Sequence, residues 1–233
     1  TNKFDLIYLD PARRDAQKNK KFLLEDLSPN LLEIQEKLGE ISDEIIIKLS
    51  PLIDISYLLS VVKNVSKIEI IAVKNEVKEL LVFINRKNSH TDTEIKCVNL
   101  ESTDPDFVFI FNDEKNAVAE YSDPQNFLYL PNNAVLKSGA FNTVAKKFKL
   151  LKLHANTHFY TSDELVKEFP GSVLEVVVIE PKQILKGEKF NIISKNYPLS
   201  PDEIKKKYKI SDGGKNYLIF TQSQKGKIIL KSV

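Results

Sequence analysis

The 233-residue chain has no methionine, no tryptophan and a single cysteine, Cys97. One cysteine excludes an internal disulfide framework, which favours a protein of the reducing cytoplasm. No apolar run approaches the length that a membrane-spanning helix needs, and no secretory signal opens the chain. The formal net charge of +2 is too small to demand a nucleic-acid partner. Any basic surface must therefore come from local clustering of lysines.

The missing methionine also means that no initiator residue is present, so we expect the chain to be a fragment whose N-terminal part is absent. Glycine is scarce as well, because only seven glycines occur and none forms a Gly-x-Gly pattern. A glycine-rich turn that closes on a nucleotide-like cofactor is therefore not expected here. With 42% hydrophobic and 28% charged residues, the chain has an ordinary globular composition and is long enough for two small domains or one large one.

An apolar run at residues 4–9 ends at Asp10 and Pro11, and two arginines, Arg13 and Arg14, follow soon after. Such a run is typical of a parallel strand that is buried on both faces. Proline cannot donate to a sheet ladder, so the strand must end there. Ligands of open α/β sheets bind at the carboxyl ends of strands. We therefore expect a polar binding site at this strand end.

Helices and strands are predicted to alternate up to about residue 87. The first helix is expected to have Ser28 as its N-cap, Pro29 as its first residue and Gly39 as its C-cap. Three apolar strands are predicted at residues 44–49, 67–73 and 79–85. A second helix is predicted between the first two of these strands, at residues 55–62. This alternation indicates parallel crossovers, whereas the short link at 74–78 indicates an antiparallel final pair.

Lys48, Ser50 and Asp54 follow the second strand of this pattern, so we expect them at the same sheet edge as Asp10. They are either groups that bind a substrate or the capped start of a helix, and the second interpretation is slightly favoured. Further strands at residues 94–100 and 107–111 either extend the first sheet or connect it to the next module.

The rest of the chain predicts two small α+β modules. For the first we expect a strand at 127–130, one helix from Asn132 or Asn133 to about Lys149, and short strands at 151–153 and 158–160. A second helix is expected after the capping box at Thr161 and Glu164, followed by a strand at 173–179. For the second module we expect a strand at 190–194, a helix capped at Ser200 that stops at residues 212–214, and a hairpin of 217–221 with 227–230.

Two clusters in these modules are candidate binding groups. His154 and His158 are four residues apart, but a zinc site gathers three or four ligands, so a structural role or an RNA contact is the better prediction. The second cluster is a run of lysines on the last helix, at Lys205, Lys206, Lys207 and Lys209. A basic helix face near the tyrosines at 197, 208 and 217 can bind the RNA backbone and loop bases, although such a face is often only solvated.

The stretch Leu9-Asp10-Pro11-Ala12-Arg13 resembles the end of the fourth strand of class I S-adenosylmethionine-dependent methyltransferases. Together with residues 48–51 and 154–164, it is similar to a bacterial methyltransferase family whose catalytic domain precedes ferredoxin-like and THUMP-like modules. The resemblance implies an α/β fold: the second half of a Rossmann-like methyltransferase sheet at 1–92, connecting strands at 93–126, a ferredoxin-like module at 127–182 and a THUMP-like module at 183–233.

The same resemblance implies a methyltransferase that acts on RNA, most plausibly transfer RNA, in the cytoplasm, with S-adenosylmethionine as cofactor and no metal. Asp10, Pro11 and Arg13 would be the catalytic residues, and Asp10 would also contact the cofactor. The implied substrate-binding groups are Arg14, Lys48, Ser50, Lys205, Lys206, Lys207 and Lys209.

Arg13 departs from the family pattern, because relatives that methylate amines carry an aromatic residue at this position. An exocyclic amine and a ring carbon both remain possible targets, and so does a non-catalytic RNA-binding protein with a degenerate methyltransferase core. As a fragment without the glycine-rich half, the chain alone is expected to be inactive. Its first strand should bare an apolar edge that a missing part, a partner or self-pairing covers.

Overall fold

The computed structural model of the protein describes residues 3–13, 24–87 and 92–233. The chain divides into two compact units, and each is described by itself. The first unit combines the chain up to Asn116 with Asn132–Ala140, and the second combines Ala117–Pro131 with Phe141–Val233. No helix within the described ranges is long and apolar enough to cross a membrane.

The described part of the first unit contains a six-stranded sheet, a two-stranded ribbon and four helices. Its strands are β1 (Ile7–Leu9), β2 (Ala12–Arg13), β3 (Leu27–Ser28), β4 (Glu44–Leu49), β5 (Val65–Val73), β6 (Glu76–Asn85), β7 (Glu94–Leu100) and β8 (Phe107–Ile110). Its helices are α1 (Leu31–Ile41), α2 (Ile55–Val61), α3 (Asp113–Asn116) and α4 (Asn133–Ser138), with a short 3-10 turn at Leu24–Asp26.

The six-stranded sheet has the order β1-β4-β6-β5-β7-β8. β1 runs parallel to β4, and β5 runs parallel to β7. β6 lies antiparallel between β4 and β5. Strands β1, β4, β5 and β7 therefore all end at one edge of the sheet. The predicted alternation and the antiparallel final pair are confirmed, and the strands at 94–100 and 107–110 extend this sheet.

Alternating apolar residues form the core beneath this sheet. Ile45, Ile47 and Leu49 of β4 are 0–3% exposed, whereas the residues between them are partly exposed. This period of two is what a strand requires when one face is buried. Helix α4 buries Ala134 and Val135, so residues 132–140 belong to this core although they are distant from it in sequence.

The second unit contains one seven-stranded sheet and two helices. Its elements are β9 (Phe127–Pro131), α5 (Phe141–Phe148), β10 (Leu151–Lys152), β11 (Tyr160–Ser162), β12 (Gly171–Val178), β13 (Lys189–Ser194), α6 (Pro201–Tyr208), β14 (Ser211–Ser223) and β15 (Gly226–Ser232), with a 3-10 turn at Pro181–Gln183. The strand order is β10-β11-β9-β12-β15-β14-β13.

Strand β12 joins both halves of this sheet. Its residues from Gly171 to Glu175 pair with β9, and those from Val176 to Val178 pair with β15. One buried cluster likewise draws on both halves, at Leu128, Leu153, Phe159, Val176, Ile219 and Leu230. A second buried cluster lies on the β13–β15 side, at Ile184, Phe190, Ile204, Ile210, Leu218, Phe220 and Ile229. The two predicted modules therefore share a sheet and part of a core.

The structure corrects the predicted ends of the first helix. Asn30, not Ser28, is the N-cap, because its side chain accepts a hydrogen bond from the backbone of Leu32. The helix runs past Gly39 and ends at the C-cap Ser42. Gly39 has a packing role instead, since a Cβ there would lie 2.0 Å from the guanidinium group of Arg86.

The predicted long helix from residue 132 to 149 is wrong, because two shorter helices occupy the stretch. Asn132 caps α4 as expected, and its side chain accepts from the backbone of Val135. Gly139 then adopts a left-handed conformation, with φ of 76°, that ends α4. Glycine enters this region without the penalty of a Cβ, so the chain turns before α5.

The helix predicted after Thr161 is also wrong, and residues 163–170, all of them described, form no helix. The buried Tyr129 explains the difference, because its hydroxyl donates to the carbonyl of Glu164 at 3.1 Å and accepts from the N–H of Val166 at 2.8 Å. Backbone groups that a helix would need are therefore bonded to a side chain of β9.

The capping box at Ser200 and Glu203 is confirmed at the start of α6. The predicted stop at residues 212–214 is wrong, because Lys209 ends the helix in a left-handed conformation with φ of 56°. Asp212, Gly213 and Gly214 lie within β14 instead. At Gly214, φ is +84° and a Cβ would lie 2.8 Å from the carbonyl oxygen of Lys189, so only glycine fits.

Candidate active site at the carboxyl edge of the first sheet

Asp10 and Lys48 meet at the edge where the parallel strands end. Leu9 of β1 lies opposite Ile47 of β4, so the next residue of each strand projects from the same edge. The Asp10 carboxylate and the Lys48 ammonium form an ion pair, with the side chains 50% and 33% exposed. The hydrogen bond to Asp10 raises the pKa of Lys48. The predicted proximity of these two residues is confirmed.

Beyond Asp10 the backbone is held by a short ribbon. Ala12 and Arg13 form β2, which pairs antiparallel with β3 through Ser28 and Leu27. Pro11 thus lies between a parallel sheet strand and this ribbon, which fixes the backbone as it leaves the site. The side chain of Arg13 and the whole of Arg14 lie outside the described residues, so their roles stay predictions.

Ser50 and Asp54 shape the loop that follows β4. The Ser50 hydroxyl accepts a hydrogen bond from the N–H of Leu52 at 3.3 Å. Asp54 is the N-cap of α2 and accepts from the N–H of Tyr57 at 2.7 Å. Asp54 therefore performs the capping role that the sequence slightly favoured, whereas Ser50 stabilises the turn before α2. Ser50 is also exposed beside the Asp10–Lys48 pair, so its substrate-binding role stays a prediction.

Lys137 of α4 is a residue at this edge that the sequence interpretation missed. Its ammonium donates to the carbonyl of Ile53 at 2.8 Å. Burial lowers the pKa of Lys137, and the nearby Asp54 carboxylate opposes that shift. Lys137 thereby ties the Ser50–Asp54 loop to α4. The helical pattern around Asn132 was recognisable, but nothing in it showed which sheet the helix covers.

A network of asparagines anchors α4 at the same edge. The turn between β5 and β6 places Asn75 at φ of 64°, so residues 74–76 form a tight turn within the short link that the sequence predicted at 74–78. The side-chain oxygen of Asn75 accepts a hydrogen bond from the backbone N–H of Asn133 at 2.6 Å. The backbone carbonyl of Asn75 accepts one from the side-chain amide of Asn133, also at 2.6 Å. Asn99 accepts from the N–H of Asn75 at 2.8 Å. These bonds fix the start of α4 relative to the strand ends.

The β1 side of the sheet is apolar and open to solvent. Phe4, Leu6 and Tyr8 are 58%, 49% and 56% exposed. The expectation that the strand is buried on both faces is therefore wrong for this chain, because β4 is its one neighbour among the strands that the structure describes. The expected exposed apolar edge is present.

The lysines of α6 are not equivalent. Lys205 pairs with Asp202 at 2.7 Å and with Asp212 at 2.6 Å, and these hydrogen bonds raise its pKa. Lys206, Lys207 and Lys209 are exposed. Lys205 is thus already paired with two carboxylates, and the exposed members of the set carry the basic character of the face.

The tyrosines near α6 pack inward. Tyr197 and Tyr208 lie 5.3 and 5.5 Å from the ring of Phe220, between ring centroids. Tyr217 packs against the other buried cluster. All three rings are partly buried and partly exposed, so the expectation that they offer stacking surfaces stays a prediction. Within the described ranges, no group of three or more His, Cys, Asp or Glu side chains is arranged to hold a metal ion.

Comparison with known families assigns the second half of the chain. Residues 127–170 match a ferredoxin-like domain, and residues 172–231 match a domain described as THUMP domain-like. The chain carries a ferredoxin-like domain followed by a THUMP-like domain. The boundary between the two matches falls at the start of β12, the strand that the ferredoxin-like and THUMP-like domains share.

Comparison with solved structures gives a match over nearly the whole chain. The crystal structure of a "putative methyltransferase" from Porphyromonas gingivalis W83 superposes with a TM-score of 0.86 and 32% sequence identity, covering 97% of this chain and 58% of that one. The chain therefore spans 58% of the length of that protein. A search of curated proteins finds no match. The predicted resemblance and α/β fold class are confirmed.

Proposed function

We propose that this chain is part of an RNA-directed methyltransferase that uses S-adenosylmethionine. The observation that carries the proposal is the half-exposed Asp10, held by Lys48 at the carboxyl edge of a sheet whose fold matches the Porphyromonas gingivalis structure. Ligands of open α/β sheets bind at this edge. The THUMP-like domain at 172–231 supports RNA as the substrate, and transfer RNA is the RNA class that we propose.

Asp10 and Pro11 orient the target base in this proposal. A carboxylate accepts hydrogen bonds, and half of the Asp10 side chain remains open to a target amine. The Lys48 ion pair holds that carboxylate in place. Pro11 offers a carbonyl oxygen next to it, while Arg13 and Arg14 hold the base or a phosphate, and Lys48 and Ser50 contact the substrate. Catalysis is then mainly positioning of the reacting atoms.

When bound, S-adenosylmethionine supplies an already activated methyl group. Asp10 fits a role toward this donor, because a half-exposed carboxylate at a strand end accepts from an ammonium or hydroxyl group. The sequence has no Gly-x-Gly pattern, so this chain lacks the glycine-rich turn that lets the backbone close on a nucleotide-like cofactor. We accordingly expect no tight donor binding and no methyl transfer by the 233-residue chain alone.

The proposed RNA partner uses the exposed Lys206, Lys207 and Lys209, with a smaller part for the paired Lys205. We place the protein in the cytoplasm, because its one cysteine forms no disulfide framework, which is usual for that reducing compartment. The Cys97 thiol is buried, and burial raises its pKa to about 12, so it is unreactive. The open face of β1 favours covering by another part of the protein or by a second chain.

Labelled methyl transfer tests this function. Full-length protein is incubated with labelled S-adenosylmethionine and total cellular RNA, and the label in RNA is compared for the wild type, Asp10→Ala and Asp106→Ala. Asp106 is a matched control, because it pairs with Lys96 at exposures of 44% and 33%, close to those of the Asp10–Lys48 pair. We expect labelling that Asp10→Ala abolishes and Asp106→Ala preserves. Equal labelling by all three proteins would refute the site assignment.

One observation favours a second candidate, a non-catalytic RNA-binding protein. The Asp10 carboxylate is already paired with Lys48, and a substrate amine must share it. Calorimetry of the full-length protein separates the candidates, since micromolar binding of S-adenosylmethionine supports the enzyme and no binding supports the RNA-binding protein.

A further inference from the structure

The loop between β10 and β11, residues 153–159, is bound tightly to two other strands of the second unit. The Thr157 hydroxyl donates to the carbonyl of Gln222, near the end of β14, at 3.2 Å. The Asn196 amide, just beyond β13, donates to the Thr157 hydroxyl at 2.9 Å. The loop lies in the ferredoxin-like domain, whereas Asn196 and Gln222 lie in the THUMP-like domain. Both imidazoles of the loop are therefore held at the junction of these two domains.

His158 occupies the inner side of this loop. Its ring stacks on Phe141, with centroids 3.5 Å apart and planes at 10°. Its Nδ1 atom is buried without a hydrogen-bond partner in the described structure. Burial, followed by the charges of Lys152 and Lys195, lowers the pKa of His158 to about 4. The imidazole is consequently neutral at pH 7, and both charges acting on it are positive.

His154 occupies the outer side of the loop. Its Nδ1 accepts from the N–H of Asn156 at 3.1 Å, and the Asn196 amide lies 3.3 Å from the same atom. A neutral ring that accepts at Nδ1 carries its hydrogen on Nε2. Asn156, Lys195 and Asn196 are exposed. The His154 ring and the exposed side chains of Asn156, Lys195 and Asn196 thus lie together on the outer side of the loop.

We propose that this loop site, formed by His154, Asn156, Lys195 and Asn196, binds a phosphate group of an RNA backbone. The inference rests on the proposed RNA-directed function and adds to it the place where RNA contacts the protein. Ammonium and N–H groups are the donors that phosphate oxygens accept. Lys195 is also close enough to this loop for its charge to lower the pKa of His158, so an anion there would meet positive charge.

An exposed lysine elsewhere in the same domain supplies the control. Lys182 is an exposed lysine of the THUMP-like domain, like Lys195, but lies in the 3-10 turn at Pro181–Gln183. Lys195→Glu and Lys182→Glu therefore make the same charge change at two different places. A third variant, Asn196→Asp, adds a negative charge at the loop with almost no change in shape. Aspartate also tolerates the left-handed φ of 52° at this position.

RNA affinity is measured by fluorescence anisotropy with labelled transfer RNA at several salt concentrations, after thermal unfolding has shown that the variants are folded. We expect Lys195→Glu to weaken binding about tenfold and to reduce the salt slope by about one. Asn196→Asp should also weaken binding, and Lys182→Glu should change it less than about threefold.

The outcomes separate this inference from the proposed function. Wild-type affinity in the Lys195→Glu and Asn196→Asp proteins, or a larger loss in Lys182→Glu, would overturn the loop site and leave the RNA-directed function standing. A wild type that binds no RNA at low salt would overturn both.

Discussion

The shared sheet of the second unit predicts that its two domains unfold together. Leu128 of β9 is completely buried in a cluster with Ile219 and Leu230 of the THUMP-like domain. Truncation of a buried leucine to alanine costs about 2–5 kcal/mol, because it removes apolar contact and leaves a cavity. Leu128→Ala should therefore lower the free energy of unfolding of the whole unit by that amount, although the residue lies in the ferredoxin-like domain.

Hydrogen exchange followed by mass spectrometry measures this effect domain by domain. A loss of about 2–5 kcal/mol speeds exchange by roughly 30-fold to several thousand-fold. We expect this increase in peptides from β9 and equally in peptides from β14 and β15. The control is Leu165→Ala, since Leu165 is 53% exposed in the same domain and surface substitutions stay within about 0.5 kcal/mol. Faster exchange confined to residues 127–170 would refute the single cooperative unit.

Two further predictions concern titratable side chains. Lys137→Met should change the free energy of unfolding by less than about 1 kcal/mol, because the lost hydrogen bond to Ile53 is offset by relief of a buried charge. Amide hydrogen exchange at residues 50–54 should become faster. Unchanged hydrogen exchange at these residues would show that Lys137 does not hold the loop. The pKa of His158 is lowered from 6.5 to about 4 in the folded protein. As the pH drops from about 6.5 toward 4, His158 is therefore protonated in the unfolded chain but not in the folded one, and the free energy of unfolding should fall. The free energy of unfolding, measured with urea at pH 7 and pH 5, should differ less between the two pH values for His158→Gln than for the wild type. An identical difference in both proteins would contradict the lowered pKa of His158.

Much of the first sheet could be predicted because its signals are local. The apolar run of β4 is bounded by Ser50 and Pro51, and its observed bounds, Glu44–Leu49, agree with the prediction. The short link at residues 74–78 requires an antiparallel pair whatever the rest of the chain does. Asp10 and Lys48 were expected at one edge because both lie at the carboxyl ends of parallel strands, and their ion pair is consistent with the observed register.

The failures arise where a distant group decides the local structure. The Thr161–Glu164 pattern is a sound helix start, but the hydroxyl of the buried Tyr129 takes the backbone groups of Glu164 and Val166. Gly39 looked like a helix end, yet Arg86, which directly follows β6, occupies the space beside it. Neither contact has a signature within the segment that it controls.

The site is incompletely predictable for the same reason. Lys137 reaches Ile53 because Asn132–Ala140 belongs to the first unit, and nothing in residues 132–140 identifies the sheet that they cover. The histidine loop was recognised by the spacing of His154 and His158. Asn196 contacts this loop although it lies 42 residues beyond His154. That contact depends on the pairing of β13 with β14, so the spacing of the two histidines could not reveal it.

The most direct test of the central claim is RNA methyl transfer by full-length protein with Asp10 replaced in two ways. The Asp10→Asn variant keeps an acceptor oxygen at the strand end, whereas Asp10→Ala removes it, and both variants lose the charge that pairs with Lys48. Nucleoside mass spectrometry of transfer RNA after incubation with S-adenosylmethionine measures the product. The account predicts one methylated nucleoside that Asp10→Asn forms at a reduced rate and Asp10→Ala does not form. Equal product from Asp10→Ala and the wild type would contradict it.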